Sequence, residues 1–310
     1  MVSKLIDGVQ GKARRRQRLF KSLEGYLYIS PWLIGFLVFT AIPLLSSIWI
    51  SMTEWNLFSS PTFVGTDNYT KLWSDPLFWQ ALKVTGKYVL ASVPLRLVIG
   101  FSIAVLLNNK LPGMGFFRTI FYLPNVTSGV AVSLLWLWIF NPEFGVLNAI
   151  LAKVGIAGPA WLLSETWALP AIVITSLWTV GGSMIIYLAG LQGIPSQLYE
   201  AVDIDGGSWF SKLTNVTIPM MTPIIFYNLI MGIINSFQVF TDAYIMTNGG
   251  PHNATLFYVL YLYKNAFQYF EMGYASALAW VLFLLILAFT ILVFKSSSLW
   301  VYYESEVKKG

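Results

Sequence analysis

Long apolar stretches separated by short polar segments dominate the pattern of this chain. Six of them are long enough for a helix to cross a bilayer, which takes about 20 mostly apolar residues. Their approximate bounds are Leu27–Met52, Val84–Leu107, Ile120–Phe140, Ala168–Leu191, Ile224–Ile245 and Ser276–Phe294. The pattern predicts an all-α membrane protein with six transmembrane helices in residues 27–296, flanked by an N-terminal tail, 1–26, and a C-terminal tail, 297–310. The first stretch is too long for a signal peptide, so we expect it to be a retained span.

The composition also fits a chain whose surface faces lipid. Of 310 residues, 56% are hydrophobic and 11% are charged, and the mean hydropathy is +0.66. Soluble domains are about 45–50% apolar and about 25% charged. The chain has no Cys and a single His, His252, which excludes disulfides and thiolate chemistry and argues against a His-based metal site or a Ser-His-Asp triad. We therefore expect no catalytic residues and no bound metal.

Positive charge is concentrated on one side of the predicted topology. Most of the 19 Lys and Arg residues fall in the N-terminal tail and in loops on the same side of the membrane. A dense cluster directly precedes the first stretch: Lys12, Arg14, Arg15, Arg16, Arg18 and Lys21. Because cytoplasmic segments are rich in Lys and Arg, this asymmetry predicts that both termini are cytoplasmic. We expect the cluster to contact anionic membrane lipid and not nucleic acid.

The segment 193–219, between the fourth and fifth stretches, has a different pattern from the rest of the chain. A short helix is predicted from Ser196, and Gly206-Gly207 would interrupt it because glycine tolerates positive φ. Apolar residues then recur at helical spacing, and a second short helix is predicted to end at Pro219. The product is two short helices joined at a glycine turn.

An amphipathic element of this kind is typical of a contact with another protein. The alternative is a helix that lies on the lipid surface, but such helices are usually rich in Lys and Arg. This segment has three acidic residues, Glu200, Asp203 and Asp205, and a single basic one, Lys212. Anionic lipid would repel the acidic residues. The charge pattern therefore favours a protein partner.

This segment resembles the EAA loop of the permease subunits of ABC importers. The matching residues are Glu200-Ala201, Asp205-Gly206 and the terminal Ile218-Pro219. The triplet that ends at Gly206 resembles the branch of the family that imports sugars and oligosaccharides. Two further stretches, 117–124 and 248–251, resemble other parts of the same family. The sequence departs from the family pattern at Val202 and Gly207, where Ala is more usual.

The resemblance implies a type I ABC importer permease fold in the bacterial cell membrane. It implies that the loop is the coupling helix, which docks on a cytoplasmic ATPase through Glu200, Ala201, Asp203, Asp205 and Gly206. The implied partners are a second, different permease, two ATPase subunits, and an extracellular or periplasmic solute-binding protein. The chain has no Gly-x-x-x-x-Gly-Lys-Ser/Thr loop, so we expect ATP and Mg²⁺ to be used by the partner ATPase, and no cofactor to be bound here directly.

Polar residues in the fifth stretch predict a path for the substrate. Asn228, Asn235 and Asp242 recur every seven residues, with Met231 and Gln238 between them. In one continuous helix these side chains would share a stripe. Polar groups inside a bilayer face the bundle interior or a water-filled cavity, and amides suit hydroxyl-rich ligands. Hydrogen bonding between helices or subunits would give the same pattern, and both interpretations stay open.

Three further residues complete the set of candidates. Trp178 and Tyr187 could offer flat surfaces to sugar rings. Arg96 lies inside the second stretch, where a charge requires a partner or a cavity. The alternative function is a secondary transporter driven by an ion gradient, which would need acidic groups deep in the membrane. The apolar stretches offer Asp242 alone, near one end, and they lack the set of side chains that an intramembrane enzyme would need.

Overall fold

The computed structural model describes residues 25–109 and 111–302, which are mostly helical. The helices are α1 Gly25–Ser51, α2 Asp67–Ser74, α3 Pro76–Leu107, α4 Met114–Val126, α5 Gly129–Ile139, α6 Val146–Lys153, α7 Ala168–Trp178, α8 Gly181–Gln192, α9 Ser196–Ile204, α10 Trp209–Phe237, α11 Tyr258–Tyr263 and α12 Met272–Trp300. Two short strands, β1 Thr53–Glu54 and β2 Thr62–Phe63, form an antiparallel hairpin. The basic cluster that ends at Lys21 lies outside the described residues.

Four of the helices are each long and apolar enough to cross a membrane: α1, α3, α10 and α12. The third and fourth predicted stretches correspond instead to pairs of helices joined at a bend. The bend is 100° between α4 and α5, and 45° between α7 and α8. The described part of the chain therefore holds four candidate spans, or up to six if each bent pair counts as one.

The expectation that the third and fourth stretches are continuous helices is wrong. In the third, the backbone is extended at Thr127 and Ser128 before α5 begins at Gly129. Short polar residues and glycine favour helix ends over helix interiors, because their side chains compete for backbone hydrogen bonds or add chain entropy. In the fourth, Gly181 brings α8 against the backbone of α4, where a β-carbon would collide with the carbonyl oxygen of Phe121.

Helix α10 differs from the fifth predicted stretch at both ends. It begins at Trp209, so the expectation that Pro219 ends a separate helix is wrong. A π-helical turn, Leu213–Thr217, precedes the proline. Such a turn can accommodate the missing N–H and the ring of a proline in a membrane helix. The helix then ends at Phe237 and does not reach Ile245.

Helix α3 lies at the centre of the bundle, where it packs against α7, α8, α10 and α11, while α12 packs against α1 and α10. The buried side chains form hydrophobic clusters along α3. One includes Tyr88, Phe257 and Leu278, and another includes Met184 and Met221. Helix α3 thus holds α8 and α10 side by side, and this arrangement forms the cavity described below.

Contacts between loops define the two ends of the bundle. At the hairpin end, Asn68 donates to the carbonyl oxygen of Ser51 over 2.9 Å, and the amide of Met272 donates to Trp55 over 2.9 Å. Helix α1 therefore finishes, and α12 starts, at this end.

The opposite end carries the turn between α9 and α10 and is called the elbow end. Here the amide of Tyr302, just after α12, donates to the hydroxyl of Thr222 over 2.9 Å. The guanidinium of Arg118 donates to the carbonyl oxygen of Leu107 over 2.9 Å and so satisfies a free carbonyl in the last turn of α3.

Candidate functional sites: an acidic elbow and a polar cavity

Helices α9 and α10 meet at a sharp turn, Gly206-Gly207, called the elbow. Gly206 has φ of +74°, a left-handed conformation that L side chains rarely adopt. The amide of Gly207 donates to the carbonyl oxygen of Val202 over 2.8 Å and closes the end of α9. The hydroxyl of Ser208 accepts a hydrogen bond from the amide of Ser211 and caps α10. The helix, the glycine interruption and the second helix start are where the sequence predicts them.

An ion pair spans the elbow. The Nζ atom of Lys212 lies 2.6 Å from Oδ1 and 2.7 Å from Oδ2 of Asp203. A second link joins the hydroxyls of Tyr199 and Thr217 at 3.1 Å. Both links fasten α9 to the first turns of α10. Asp203, one of the residues expected to contact an ATPase, is therefore engaged within the chain, where it braces the elbow.

The outward face of the elbow has no partner within the described residues. Its exposed side chains are Glu200, Ala201, Ile204, Asp205, Trp209 and Phe210. Ile204 is 87% exposed, and the two aromatic residues are about two-thirds exposed. Neither Glu200 nor Asp205 forms an ion pair with any residue that the structure describes. A surface that combines free carboxylates with large apolar side chains suits an apolar groove with a basic rim.

A polar cavity of about 270 Å³ lies where both bent helix pairs break. Helices α3, α8 and α10 form its walls, and residues near the breaks complete them. The polar side chains that line it are Arg96, Asn125, Thr179, Ser183, Tyr227, Asn228 and Asn235. Interrupted membrane helices often form transporter binding sites, because their free backbone groups can face a ligand.

Part of the predicted polar stripe lies on this cavity. Asn228, Met231 and Asn235 all line it. The side-chain nitrogen of Asn228 donates to the carbonyl oxygen of Ile224 over 2.9 Å. Its Oδ1 atom is thus the side-chain atom of Asn228 that can accept a hydrogen bond from an occupant.

The remainder of the stripe points elsewhere because α10 ends at Phe237. Gln238 lines a separate, mostly apolar cavity between α10 and α12. Asp242 lies beyond the helix end, where its carboxylate accepts a hydrogen bond from the hydroxyl of Ser133 over 2.7 Å. Asp242 is half-buried. It is therefore less accessible to water than a carboxylate at the end of a membrane span could be. Among the described residues, no three His, Asp or Glu side chains gather into a set that could hold a metal ion.

The two aromatic candidates lie in different surroundings. Trp178 is 39% exposed and packs edge-on against Trp136, with 5.5 Å between ring centroids. Tyr187 is fully buried beside Phe101 and does not line the polar cavity. In this conformation Tyr187 therefore offers no surface to a sugar ring.

Asn125, Thr179 and Tyr227 are cavity residues that the sequence pattern did not single out. Asn125 sits at the end of α4, and its side chain lies so near α8 that a β-carbon on Gly182 would come within 2.7 Å of its Nδ2 atom. An amide directly after a proline, inside an apolar stretch, was the available signal. It identifies a binding residue only once the bend between α4 and α5 is known.

Comparison with known proteins gives both a family and relatives. Residues 96–301 match the family described as "Binding-protein-dependent transport system inner membrane component". The chain is 46% identical over 305 residues to the "Probable ABC transporter permease protein YesP" of Bacillus subtilis (strain 168), with 97% of this chain and 98% of that protein covered. It is 35% identical over 289 residues to the "Lactose transport system permease protein LacF" of Rhizobium radiobacter, with 91% and 96% covered.

A solved structure shares the fold. It is the "Crystal structure of bacterial alginate ABC transporter in complex with alginate pentasaccharide-bound periplasmic protein", one chain of which matches with a TM-score of 0.80 and 22% identity, covering 91% of this chain and 96% of that one. The family match spans most of the chain, and both relatives match along nearly their whole length. This chain is a member of the family of inner membrane components of binding-protein-dependent transport systems.

Proposed function

We propose that this chain is the membrane-spanning permease subunit of an ATP-driven importer of a sugar or oligosaccharide. The observation that carries the proposal is the elbow, whose outward face presents Glu200, Asp205 and Ile204 with no partner in the described chain. A partner that fits this face must supply basic and apolar groups. The cytoplasmic ATPase subunit of an ABC importer is that partner, and it binds and hydrolyses ATP with Mg²⁺.

The topology is part of the proposal. Each bent pair counts as one span, so that residues 27–296 form six transmembrane segments and 193–219 form the coupling loop. The N-terminus of α1 and the C-terminus of α12 both lie at the elbow end, because α1 ends and α12 begins at the hairpin end. If the elbow meets a cytoplasmic ATPase, the tails 1–26 and 297–310 are cytoplasmic too. This agrees with the Lys and Arg distribution.

The substrate class rests on the cavity together with a relative. The cavity offers amides and hydroxyls, including Asn125, Ser183 and Asn235, and such groups pair well with sugar hydroxyls. The 35% identical relative is a lactose transport permease. We further propose that Trp178 lies along the route of the sugar. Asp242, beyond the cavity, would line its approach from the hairpin end, whereas Gln238 lies on the separate apolar cavity between α10 and α12.

The remaining partners complete the assembly. A second, different permease would pack beside this chain, and two ATPase subunits would bind the two elbows. An extracellular or periplasmic solute-binding protein would deliver the sugar to the hairpin end. The described residues of this chain supply only the passage and the coupling surface, while catalysis belongs to the ATPase.

Uptake by the reconstituted complex tests this function. Proteoliposomes would hold both permeases and the ATPase, with solute-binding protein and radiolabelled oligosaccharide outside. The expected result is uptake that requires internal Mg-ATP, stops with a non-hydrolysable analogue, and persists when ionophores remove proton and sodium gradients. Uptake that follows an ion gradient and ignores ATP would contradict the proposal in favour of a secondary transporter.

A further inference from the structure

Arg96 lies deep within the longest helix of the bundle. It is roughly 30 Å from the start of α3 at Pro76 and roughly 16 Å from its end at Leu107, at 1.5 Å of rise per residue. Its side chain is half-buried and lines the polar cavity between α3, α8 and α10. A guanidinium stays charged in proteins. A charge at this depth is costly unless something pairs with it or hydrates it.

The described chain provides no ion pair for this guanidinium. The ion pairs in residues 25–109 and 111–302 are Lys71–Glu271, Lys212–Asp203 and His252–Glu165. The carboxylate of Asp242 is hydrogen-bonded to Ser133 at 2.7 Å and does not line the cavity. Arg96 also has no hydrogen bond to any described group within the usual distance limits.

The other polar groups around the cavity are neutral. Asn125, Ser183, Asn228 and Asn235 bring amides and a hydroxyl, and Arg96 is the sole charged residue among those that line the cavity. The cavity therefore carries a fixed positive charge that is surrounded by groups suited to sugar hydroxyls. Its volume, about 270 Å³, is at the low end for small-molecule sites, which are about 300–1,000 Å³. The cavity is large enough for one monosaccharide unit of an oligosaccharide.

We propose that Arg96 forms an anion subsite, at which the carboxylate of an acidic sugar unit pairs with the guanidinium as the saccharide passes. Arginine binds carboxylates through two parallel hydrogen bonds, which gives both charge neutralisation and orientation. The neutral amides would bind the hydroxyls of the same unit. This inference rests on the proposed import function and narrows its substrate class to uronic-acid-containing saccharides.

The subsite is tested by comparing the uptake of acidic saccharides with the uptake of matched neutral saccharides. The probes are a pool of uronic-acid-containing oligosaccharides and the same pool after reduction of its carboxyl groups. The reconstituted importer would carry wild-type, Arg96→Gln or Arg96→Lys permease. Wild type is expected to import the acidic pool, and Arg96→Gln to lower that uptake about tenfold or more, because it leaves a desolvated carboxylate unpaired. Arg96→Lys should retain more of the acidic uptake. In both variants the loss of neutral uptake should be several-fold smaller than the loss of acidic uptake in Arg96→Gln.

Two results would overturn the subsite. One is an equal loss of acidic and neutral uptake in Arg96→Gln, which would assign Arg96 a packing role. The other is acidic uptake that the substitution leaves unchanged. Failure of the import function itself has a different signature, namely no ATP-dependent uptake of either pool by wild type.

Chemical labelling tests the site without transport. Phenylglyoxal modifies accessible guanidinium groups, and peptide mass spectrometry can report Arg96 separately. In the purified complex, galacturonate is expected to protect Arg96 from modification, whereas galactose does not. Arg118 is the internal control, because it is bound to the end of α3 outside the cavity and should label equally with either sugar. Absence of protection by galacturonate would overturn the proposal. So would an Arg96 that is unreactive without sugar, since a partner permease would then supply its counter-charge.

Discussion

The side chain of Val202 occupies the space that a β-carbon on Gly207 would need. A β-carbon at Gly207 would collide with Cγ1 of Val202 and would lie 2.9 Å from the carbonyl oxygen of Val202. These are the two positions at which the resemblance to the EAA loop is incomplete. The larger residue at one position and the smaller at the other are therefore complementary, and the elbow keeps its packing.

This complementarity predicts non-additive substitutions. Gly207→Ala alone should destabilise the elbow by about 1–3 kcal/mol, because the added methyl overpacks a tight contact. Val202→Ala combined with Gly207→Ala should recover much of that loss. The measurement is thermal unfolding of the purified importer complex for the two single variants and the double variant. Strictly additive losses would show that the two residues do not share the space.

Gly206 provides a separate test of the elbow backbone. At φ of +74°, a β-carbon costs about 1–2 kcal/mol per residue, although open space surrounds the position. Gly206→Ala should therefore lower the coupling of ATP hydrolysis to uptake. Gly206→Asn is the matched control, because asparagine visits this conformation more readily. Equal effects of Ala and Asn would indicate that the partner protein, and not the backbone, limits the position.

Gly182 leaves room for the side chain of Asn125. A methyl group there would meet the Nδ2 atom of Asn125 at 2.7 Å, and Asn125 would have to turn away from the cavity. Gly182→Ala should thus slow uptake several-fold while the complex still assembles. Gly86→Ala is the control, since that helical glycine has no neighbour within 4 Å, and it should leave uptake unchanged. Normal uptake by Gly182→Ala would remove Asn125 from the pathway.

Asp75 gives the hairpin end a predictable pH dependence. Its carboxylate caps α3 by accepting from the amide of Leu77 over 2.9 Å, and it also accepts from the hydroxyls of Tyr261 and Tyr274. Burial acts to raise the pKa of Asp75, but the hydrogen bonds outweigh it and lower the pKa below 3.8. The stabilisation is therefore full well above pH 3.8 and disappears as the pH falls through the lower pKa of the folded state.

Asp75→Asn tests this dependence. The variant should unfold at a lower temperature than wild type at pH 7, because it loses the charged cap. The difference should narrow as the pH is lowered below about 4, since the wild-type carboxylate then also becomes neutral. Unfolding temperatures of detergent-purified protein across pH 3–7 provide the measurement. A difference that is independent of pH would contradict a charged Asp75 in the folded protein.

The sequence pattern predicted where helices lie better than where they break. Apolar runs locate the central parts of α3 and α12. Both helices extend beyond the predicted stretches, to Pro76 and to Trp300, because Lys83 and Lys295 interrupt the apolar pattern near those ends. Hydropathy did not predict the bend at Thr127 and Ser128, because two polar residues barely change the average hydropathy of a long stretch. The end of α10 at Phe237 was missed for a similar reason, and the expected stripe from Asn228 to Asp242 depended on one continuous helix.

The elbow could be predicted in more detail than the cavity. Its glycines and acidic residues are contiguous, so local rules place them on a helix and a turn. The pairing of Asp203 with Lys212 across the elbow depends on the angle between two helices, which residue spacing alone does not give. The cavity brings together Arg96, Asn125 and Asn235 from three separate helices, so it emerges only from tertiary packing.

Co-purification of the ATPase with the permease tests the central claim most directly. The variant is Glu200→Lys, which reverses a free charge on the elbow, and Glu143→Lys is the matched control, because Glu143 is also exposed and lies outside the elbow. If a basic groove of the ATPase receives Glu200, the reversed charge should reduce the bound ATPase about tenfold, while Glu143→Lys retains it. Equal amounts of ATPase with wild type and Glu200→Lys would contradict coupling through the elbow.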